Sequence, residues 1–510
     1  MPIATHSDNW QLKQLLHGFA DVDDNQDCEI QSLSNDSRCV NQGSLFLACA
    51  GHNNHGLDFI DEVYQSGVAA IVWEPAEGYS SQQLNDEWAA RVPHIAIADL
   101  SWQLGLIADR FYHHPSGQME IIGITGTDGK TSCCHFIATA LQQQSDTPVG
   151  VIGTLGYGCL GYLETASHTT PDALRVHQLL QQMNSKGVNT VVMEVSSHAL
   201  HQGRVQGVHF NVAVLTNISR DHLDYHGDMV SYAAAKRRLF AMPGLEHAVL
   251  NNDDEYGEQW AAELKSCIPT ITYGTTLSSD TQHSVSFTHE ILDHDGLHWE
   301  AVTPWGHARL HSSLYGRFNL YNLSAVISTL GVLGLSWDEI TKQVASLKQI
   351  AGRMEIISPY DPDTQPVAVI DFAHTAAALR QVLLALTEHG FGKIWCVFGC
   401  GGDRDQGKRP LMGSMAESLA DCVILTDDNP RTEDGEQIIA DILSGISTAG
   451  NVHIERDRAA AIEWAIKQAN PQDIVLIAGK GHEDYQIIGN KKLPFSDKEA
   501  AQTVLKRGLH

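Results

Sequence analysis

The chain has 510 residues, of which 61 are acidic and 33 basic, so its formal net charge is −28 with histidine counted as neutral. A hydrophobic fraction of 43% in a chain of this length excludes wholesale disorder and is enough to build about three domains. The acidic excess disfavours a nucleic-acid partner and a polybasic membrane anchor, because both interactions depend on clustered cations.

The N-terminal residues and the cysteines both predict a reduced, cytoplasmic protein. The first eight residues lack the basic and apolar regions of a signal peptide, and no uncharged apolar run approaches the length of a membrane span. The ten cysteines show no CxxC spacing, which favours free thiols. We expect Cys133, Cys134, Cys396 and Cys400 to be buried core residues rather than metal ligands.

The first long helix is predicted over residues 100–111, where apolar residues recur at helical spacing. A cluster of helix-breaking residues, His113 to Gly117, follows it. We place a boundary just before this helix, so that an N-terminal α/β domain spans residues 1–98.

Short apolar runs separated by helical stretches then predict a doubly wound α/β domain over residues 99–351. Four of these runs are predicted to be buried parallel strands, namely residues 119–124, 190–195, 212–215 and 248–250. Residues 268–316 alternate polar and apolar side chains, with a hairpin signal at Asp295-Gly296, and predict an antiparallel appendage or edge of the same domain. A capping box over residues 336–339 predicts the start of another helix.

Residues 352–510 repeat the pattern and predict a third, Rossmann-like α/β domain. Its candidate strands are residues 367–370, 394–398, 422–425 and 474–477. Each run is followed by a polar or glycine-rich loop. Ligands of open parallel sheets bind beyond the carboxyl ends of the strands, so these loops are where function is expected.

The strongest local motif follows the strand at 119–124 and precedes a helical pattern. It reads Gly126-Thr127-Asp128-Gly129-Lys130-Thr131-Ser132. Glycines let backbone N–H groups surround a phosphate, while the lysine reaches the β- and γ-phosphates and the threonine hydroxyl binds Mg²⁺. Ile124 stands where the first glycine of the full pattern would be, so an ordinary strand–helix turn is the alternative.

Three further features of this domain are ambiguous when each is taken alone. Glu194 ends an apolar strand, where it suits a second Mg²⁺ contact or is a partly exposed acid. The loop at 216–227 holds two histidines and two aspartates within six residues, which fits a surface loop or a metal-facing loop with His222 as ligand. The segment 232–240, which contains Lys236, has the pattern of a solvated amphipathic face.

Four polar loops follow the candidate strands of the last domain. They are residues 371–374, 399–405, 427–431 and 478–484. Arginine beside asparagine and aspartate suits recognition of a zwitterion that carries carboxylates and amines. Four such loops, each after a strand, are hard to explain as ordinary turns.

Taken in order, these motifs resemble those of the Mur ligases, the ATP-dependent amide ligases of peptidoglycan synthesis, over nearly the whole chain. The resemblance is closest to the ligase that adds the third amino acid to UDP-N-acetylmuramoyl-L-alanyl-D-glutamate. Residues 428–431, Asp-Asn-Pro-Arg, look like the signature for meso-diaminopimelate rather than lysine. The resemblance implies that ATP phosphorylates the D-glutamyl γ-carboxylate, and that the amine of diaminopimelate attacks the acyl phosphate.

The resemblance also implies roles for residues of the second and third domains. The expected catalytic residues are Lys130, Glu194, His222 and Lys236. Thr131 and Glu194 would bind one Mg²⁺, and Lys236, carried as a carbamate, would hold a second Mg²⁺ with His222. The expected ATP-binding residues are Gly126, Thr127, Asp128, Gly129, Lys130, Thr131, Ser132, Asn322, Arg353, Asp371 and His374.

The substrate residues implied by the resemblance fall into two sets. Those for the uridine substrate are Ser37, Arg38, Thr169, Thr170, Ser197, Gln202 and Arg204. Those for the amino acid are Arg404, Asp428, Asn429, Pro430, Arg431, Gly479 and Glu483. Asn429 and Arg431 would bind the distal carboxylate of diaminopimelate, and Glu483 its distal ammonium.

Three residues depart from the family pattern at positions next to the expected nucleotide contacts. Asp128 stands where asparagine is frequent, Phe372 replaces a tyrosine, and Ala376 replaces a proline. We expect a monomer whose partners are the UDP-muramoyl dipeptide, meso-diaminopimelate and ATP with Mg²⁺. The alternatives are a lysine-adding relative, a folylpolyglutamate synthetase-like ligase, and a non-catalytic P-loop scaffold.

Overall fold

The computed structural model describes residues 9–51, 54–80, 91–275 and 281–507. The chain forms two compact units. One holds the described residues up to Tyr273 together with Ser328–Leu333, and the other holds Gly274–Ile327 and the chain from Gly334 onward. The boundaries after residues 98 and 351 remain predictions.

The first unit begins with a small parallel sheet. Its strands run in the order Ser32–Ser34, Ser44–Ala48, Ala70–Trp73 and His94–Ala96. Helices Leu12–Leu15 and Ile60–Gln65 accompany it, and Trp10–Gln11 pairs with Glu29–Ile30. The predicted helix is confirmed at Leu100–Phe111, and its apolar face joins the core of this sheet through residues such as Leu104 and Ile107.

A larger sheet follows in the same unit. Its strands run in the spatial order Tyr162–Glu164, Gly156–Cys159, Val149–Gly153, Thr190–Glu194, Glu120–Thr125, Val212–Leu215, His247–Asn251 and Thr270–Gly274. The six strands from Val149–Gly153 onward in that order are parallel. Its helices are Lys130–Gln142, Ala173–Ser185, Ser197–His201, Leu223–His226, Met229–Arg237 and Glu255–Leu264. The doubly wound prediction is confirmed.

The antiparallel prediction for residues 268–316 is wrong at its start. Thr270–Gly274 is a parallel strand beside His247–Asn251, because the helix Glu255–Leu264 supplies the crossover that parallel pairing requires. The rest is confirmed in the second unit, where Ser284–Asp293, Gly296–Thr303 and Gly306–Ser312 form an antiparallel meander. Helices Phe318–Val332 and Trp337–Ser346 follow, the latter opened by the predicted capping box of Ser336 and Glu339.

The second unit also holds a six-stranded sheet. Its strands run in the order Glu355–Ile357, Val367–Asp371, Ile474–Ala478, Ile394–Phe398, Cys422–Leu425 and Val452–Ile454, and all but the first are mutually parallel. The helices are Ala376–Thr387, Lys408–Leu419, Gly435–Leu443, Arg458–Gln468 and Asp497–Arg507, and a hairpin joins Tyr485–Ile488 to Lys491–Pro494. An apolar core packs against each face of this sheet. The four strands predicted here are confirmed. Because these strands are parallel, the polar loops that follow them lie at one edge of the sheet.

The four cysteines expected in the core, Cys133, Cys134, Cys396 and Cys400, are buried as predicted. Burial raises the pKa of Cys133 and of Cys396 to about 12, so these thiols stay protonated at neutral pH. Within the ranges given above, no helix is long and apolar enough to cross a membrane.

Candidate active site

The glycine-rich turn between Glu120–Thr125 and Lys130–Gln142 is fixed by the end of a neighbouring strand. Gly126 has φ +150°, and a Cβ there would overlap the hydroxyl of Thr216. That hydroxyl donates to the carbonyl of Asp128 (2.6 Å), and the Asp128 N–H donates to Asn217 Oδ1 (3.1 Å). Gly129 has φ +81° and caps the helix. The Asp128 carboxylate, which departs from the family pattern, is exposed.

Two lysines converge on one carbonyl of this turn. The Nζ of Lys130 donates to Gly126 O (2.8 Å) and to Thr127 O (2.7 Å). The Nζ of Lys236 donates to the same Gly126 O (2.6 Å) and lies 4.5 Å from the centre of the Tyr232 ring. Lys236 is only 1% exposed, so the solvated face that its local pattern suggests is wrong. Burial, with a smaller contribution from Lys130, lowers the pKa of Lys236 well below its usual value.

The carboxylate of Glu194 is buried beside the first turn of the phosphate-loop helix. Its Oε2 accepts hydrogen bonds from Thr131 Oγ1 (2.9 Å) and Thr154 Oγ1 (3.2 Å), and its Oε1 accepts one from the Thr154 N–H (2.8 Å). Thr131 and Glu194, predicted separately, are thus brought together. Thr154 was missed, although it follows an apolar strand exactly as the other site residues do.

His222 and Lys236 both lie close to the ring of Tyr232. His222 has φ +53°, its ring centre is 6.2 Å from that of Tyr232, and its Nε2 lies 3.4 Å from a carboxylate oxygen of Asp221. A second histidine, His198, packs against it at 4.8 Å. Burial and the neighbouring histidines lower the pKa of His198 to about 4, so this ring is neutral at physiological pH.

The donor set fits Mg²⁺ that also binds phosphate. Among the residues described, no three His, Cys, Asp or Glu side chains are grouped closely enough to hold a metal by themselves. Mg²⁺ does not require such a cage, because it keeps several waters and uses one or two carboxylates together with substrate phosphates. The Glu194 carboxylate and the Thr131 hydroxyl supply hard oxygen ligands beside the turn expected to hold those phosphates.

Four of the expected uridine-substrate residues form one hydrogen-bonded network next to Glu194. Thr170 Oγ1 donates to the Glu194 carbonyl (2.8 Å), and Thr169 Oγ1 shares a hydrogen bond with Thr154 Oγ1 (3.1 Å). Arg204 donates to the Thr170 carbonyl (2.9 Å) and to Gln202 Oε1 (2.9 Å). The network therefore leads directly from the Glu194 carboxylate to Arg204.

Two residues that sequence reasoning missed extend this network. The Tyr225 hydroxyl accepts from Gln202 Nε2 (3.0 Å) and is hydrogen-bonded to His201 (2.9 Å). His226 Nε2 is hydrogen-bonded to Ser197 Oγ (3.0 Å). Both lie in the short helix Leu223–His226, which begins directly after His222, so this one segment links the expected metal ligand to the expected substrate residues.

The N-terminal pair Ser37 and Arg38 lies in a separate turn. The Arg38 guanidinium makes two hydrogen bonds to the Asp36 carboxylate (2.9 and 2.7 Å) and is exposed. Next to this turn, Asn35 Nδ2 donates to Asp172 Oδ1 (3.4 Å), two residues after Thr170. The turn therefore borders the start of the helix Ala173–Ser185 that follows the network.

In the second unit, Asp371 shapes the turn that carries Arg353. Its carboxylate accepts from the N–H groups of Met354 (2.8 Å) and Ala373 (2.7 Å), and burial raises its pKa. The Arg353 guanidinium lies 5.3 Å from the ring centre of Phe372, and its buried Nε has no hydrogen-bond partner among the described residues. The phenylalanine that departs from the family pattern therefore still serves as an apolar platform for the arginine.

Three other positions bear on the expected nucleotide set, namely His374, Ala376 and Asn322. His374 Nδ1 is hydrogen-bonded to the Phe372 carbonyl (2.8 Å), and its side chain is exposed. Ala376 is the first residue of the helix Ala376–Thr387, a position that also accepts proline, so this departure leaves the fold unchanged. Asn322 is buried in the helix Phe318–Val332 and donates to Asn319 Oδ1 (2.9 Å).

The amino-acid loops meet at the carboxyl edge of the six-stranded sheet. Asn429 Nδ2 donates to Glu483 Oε2 (3.0 Å), which joins the loops after Cys422–Leu425 and Ile474–Ala478. Arg431 has φ +51°, and its guanidinium donates to the carbonyl of Gly402 (2.7 Å). Arg404 lies in the same glycine-rich loop as Gly402 and is exposed.

Three further expected residues of this set pack beneath the surface. Asp428 is buried, and burial raises the pKa of its carboxyl. Gly479 has φ +117°, and a Cβ there would lie 2.5 Å from Asp428 Oδ2, so a larger residue would displace that carboxylate. Pro430 is also buried, with its carbonyl against Gly402. Sequence reasoning missed Lys480, whose fully buried ammonium lies between Asn429 and Glu483.

Comparison with known proteins identifies this architecture. Three family models match the chain: the Mur ligase family catalytic domain at residues 29–112, the Mur ligase middle domain at 124–330, and the Mur ligase glutamate ligase domain at 352–481. The chain belongs to the Mur ligase family, and the resemblance predicted from its motifs is confirmed.

Similar proteins share nearly the full length. A relative from Alkalilimnicola ehrlichii is 45% identical over 97% of this chain and 98% of its own, and one from Coxiella burnetii is 46% identical over 94% and 96%. Both are named UDP-N-acetylmuramoyl-L-alanyl-D-glutamate--2,6-diaminopimelate ligase. A solved structure with that name is 33% identical, with a TM-score of 0.73, and covers 98% of this chain and 99% of its own.

Proposed function

We propose that this protein is the ATP-dependent ligase that joins meso-diaminopimelate to the D-glutamyl γ-carboxylate of UDP-N-acetylmuramoyl-L-alanyl-D-glutamate. The observation that carries the choice of amino acid is the pairing of Asn429 with Glu483 near Arg431 at one sheet edge. An amide and an arginine suit the distal carboxylate, and a carboxylate suits the distal ammonium. The names of the full-length relatives agree with this choice.

ATP binding is proposed at the glycine turn. Its backbone N–H groups and the dipole of the helix Lys130–Gln142 favour a bound phosphate. The Lys130 ammonium, now on the Gly126 and Thr127 carbonyls, is within the loop and able to turn toward the β- and γ-phosphates. Thr131 and Glu194 would hold Mg²⁺, which neutralises phosphate charge and orients the transferred group when it is bound.

Lys236 is proposed to carry a carbamate. A carbamate forms when a neutral amine attacks CO₂ and a proton is released to solvent, and burial favours the neutral amine at this position. The product is an anion, which turns a lysine into an oxygen ligand for a cation beside His222. The carbamate would also attract the ammonium of Lys130. In the structure, the side-chain nitrogens of Lys130 and Lys236 donate to the same carbonyl, that of Gly126.

The reaction follows from these placements in two chemical steps. The substrate γ-carboxylate attacks the γ-phosphorus of ATP, forming an acyl phosphate and ADP, while Lys130 compensates the charge on the phosphate oxygens. The free amine of diaminopimelate then attacks the acyl carbon, and phosphate leaves as the amide forms. Activation is required because a carboxylate is a poor electrophile at neutral pH. We propose that the enzyme acts in the cytoplasm, as a monomer.

The decisive experiment supplies the UDP-muramoyl dipeptide, ATP and Mg²⁺ with meso-diaminopimelate, L-lysine or L-glutamate in separate reactions. We expect a ligated product with diaminopimelate and equimolar ADP, measured by mass spectrometry and coupled assay. Product with lysine instead would identify a lysine-adding relative, and product with glutamate alone would identify a folylpolyglutamate synthetase-like ligase. ATP binding without any product would identify a nucleotide-binding scaffold. Light scattering of the purified chain tests the monomer.

A further inference from the structure

Lys480 is the one cation of the amino-acid loops that the proposed function leaves without a role. It follows the strand Ile474–Ala478 and is fully buried. Gly479 and Gly481 flank it, both with positive φ (+117° and +53°), and a Cβ on Gly481 would lie 2.7 Å from the Cβ of Phe372. The backbone on each side is therefore closely packed, which holds the Cα of Lys480 in place.

The ammonium of Lys480 ends between two expected substrate residues. Its Nζ lies 3.2 Å from Asn429 Oδ1 and 3.1 Å from Glu483 Oε2, and both atoms accept its hydrogen bonds. The ring centre of Tyr485 lies 5.5 Å away. A buried ammonium needs such partners, because removing it from water is costly unless its charge is compensated.

These hydrogen bonds determine which way the Asn429 amide faces. Asn429 Oδ1 accepts from Lys480 and from the backbone N–H of Ile487 (2.8 Å), and neither donor is able to accept. The amide nitrogen must therefore lie on the opposite side, where it donates to Glu483. An amide NH₂ carries two hydrogens, so it is able to serve Glu483 and a substrate carboxylate together.

The same ammonium determines which oxygen Glu483 presents. Oε2 accepts from both Lys480 and Asn429, on the buried side of the carboxylate. The Glu483 side chain is 22% exposed, and its Oε1 lies at 3.5 Å from the Tyr485 hydroxyl, a weak contact. Oε1 is therefore the oxygen left for an ammonium arriving from solvent.

Lys480 also balances charge beneath this site. The Asp428 carboxyl is buried, Glu483 adds a second negative charge near it, and Lys480 is among the cations that oppose the rise in the pKa of Asp428. Arg458, the other such cation, already makes two hydrogen bonds to Asp497 (2.7 Å each). Without Lys480, two carboxylates would face each other with less compensation.

We infer that Lys480 is a positioning residue for amino-acid specificity, orienting the Asn429 amide and the Glu483 carboxylate toward the distal end of diaminopimelate without touching it. The inference rests on the proposed function. It predicts that loss of Lys480 weakens recognition of the distal carboxylate and ammonium together. L-Lysine has the ammonium but no distal carboxylate, so its use depends less on the Asn429 amide.

The test compares wild type, Lys480→Met, and the control Lys467→Met, which removes an exposed lysine that pairs with Glu463 one turn earlier on the helix Arg458–Gln468. We expect Lys480→Met to raise KM for meso-diaminopimelate by at least about tenfold, because charge-assisted hydrogen bonds are lost. KM for ATP should stay at the wild-type value. The ratio of kcat/KM for diaminopimelate to that for lysine should fall, and this ratio does not depend on the fraction of folded enzyme. Lys467→Met should match wild type.

An unchanged KM for diaminopimelate in Lys480→Met would overturn the inference, and so would a proportional fall with both amino acids. If Lys480→Met does not fold, Lys480→Gln gives the same comparison, because the glutamine amide carries an NH₂ donor group but no charge. A wild-type ratio of kcat/KM for diaminopimelate to that for lysine in this variant overturns the inference as well. Wild type that ligates no diaminopimelate overturns the proposed function and this inference with it. Wild type that ligates it beside an unaffected Lys480→Met refutes only the role of Lys480.

Discussion

Two substitutions at Glu194 distinguish the contribution of this side chain to stability from its contribution to catalysis. The carboxylate is fully buried and accepts three hydrogen bonds, two from hydroxyls and one from the Thr154 N–H. Glu194→Gln keeps the size and the acceptor for that N–H. Its new NH₂ group donates to the hydroxyls of Thr131 or Thr154, since a hydroxyl both donates and accepts. Glu194→Ala removes every acceptor of the side chain.

The expected magnitudes follow from these contacts. Hydrogen bonds to charged groups contribute about 1.5–3 kcal/mol each, so losing the bonds from Thr131 and from the Thr154 N–H should cost Glu194→Ala about 3–6 kcal/mol. Glu194→Gln should stay within about 1.5 kcal/mol of wild type, because its hydrogen bonds become neutral ones but remain. Both variants lose the negative charge that would bind Mg²⁺, so ATP-dependent product formation should fall by on the order of 100-fold in each.

Urea unfolding gives the free energies, and ADP release at increasing Mg²⁺ concentration gives the rates. Glu120→Gln is the matched control, since Glu120 begins the neighbouring parallel strand at the opposite edge of the same sheet. The control should keep the wild-type Mg²⁺ dependence. Glu194→Gln with wild-type rate and Mg²⁺ dependence at normal stability would refute the assignment of this carboxylate to the metal.

Three further outcomes are expected. Lys236→Arg keeps a long basic side chain but cannot form a carbamate, so native mass spectrometry should show no added CO₂ and activity should fall by on the order of 100-fold; a fully active variant would contradict the carbamate. Burial lowers the pKa of His135 to about 4 in the folded chain, so between pH 6.5 and pH 4 the unfolded chain binds more protons than the folded chain. The free energy of unfolding should therefore fall by up to about 3 kcal/mol as the pH drops from above 6.5 to 4. His135→Leu should remove that part of the pH dependence of unfolding, and an unchanged slope would count against it. Arg409→Met should lower the unfolding free energy by about 3–5 kcal/mol, since the buried guanidinium pairs with Glu433 (2.9 Å) and Asp441 (2.8 Å); calorimetry measures this, and a neutral change would disprove the pairing.

The sequence predicted the buried strands accurately because their apolar runs are bounded by glycines and polar residues. Ile394–Phe398, Cys422–Leu425 and Val212–Leu215 lie exactly where these runs were. Thr270–Gly274 was misassigned because a short strand at the end of the parallel part of a sheet need not be apolar throughout. Its direction depends on the crossover helix Glu255–Leu264, a relation that local alternation does not express.

The candidate site was predictable where a polar residue stands at the end of a strand or in the loop that follows it. Glu194 and Asn429 are of this kind, and both lie toward the carboxyl ends of parallel strands. Lys236 was not predictable from its own helix, because its burial depends on the Gly126 carbonyl 110 positions earlier. Lys480 was visible in its motif but had no assignable role, since its partner Asn429, 51 positions earlier, becomes a neighbour only through the fold of the sheet.

The strand order of the six-stranded sheet also separates two kinds of recognition. The loops expected to hold the amino acid follow Ile474–Ala478, Ile394–Phe398 and Cys422–Leu425, which are adjacent, whereas the loop of Asp371 and His374 follows Val367–Asp371 on the other side of Ile474–Ala478. Substitutions that change the accepted amino acid are therefore able to accumulate in three neighbouring loops while the nucleotide loop stays constant. Such a division lets one ancestral enzyme diversify its amino-acid substrate without rebuilding the means of activating it.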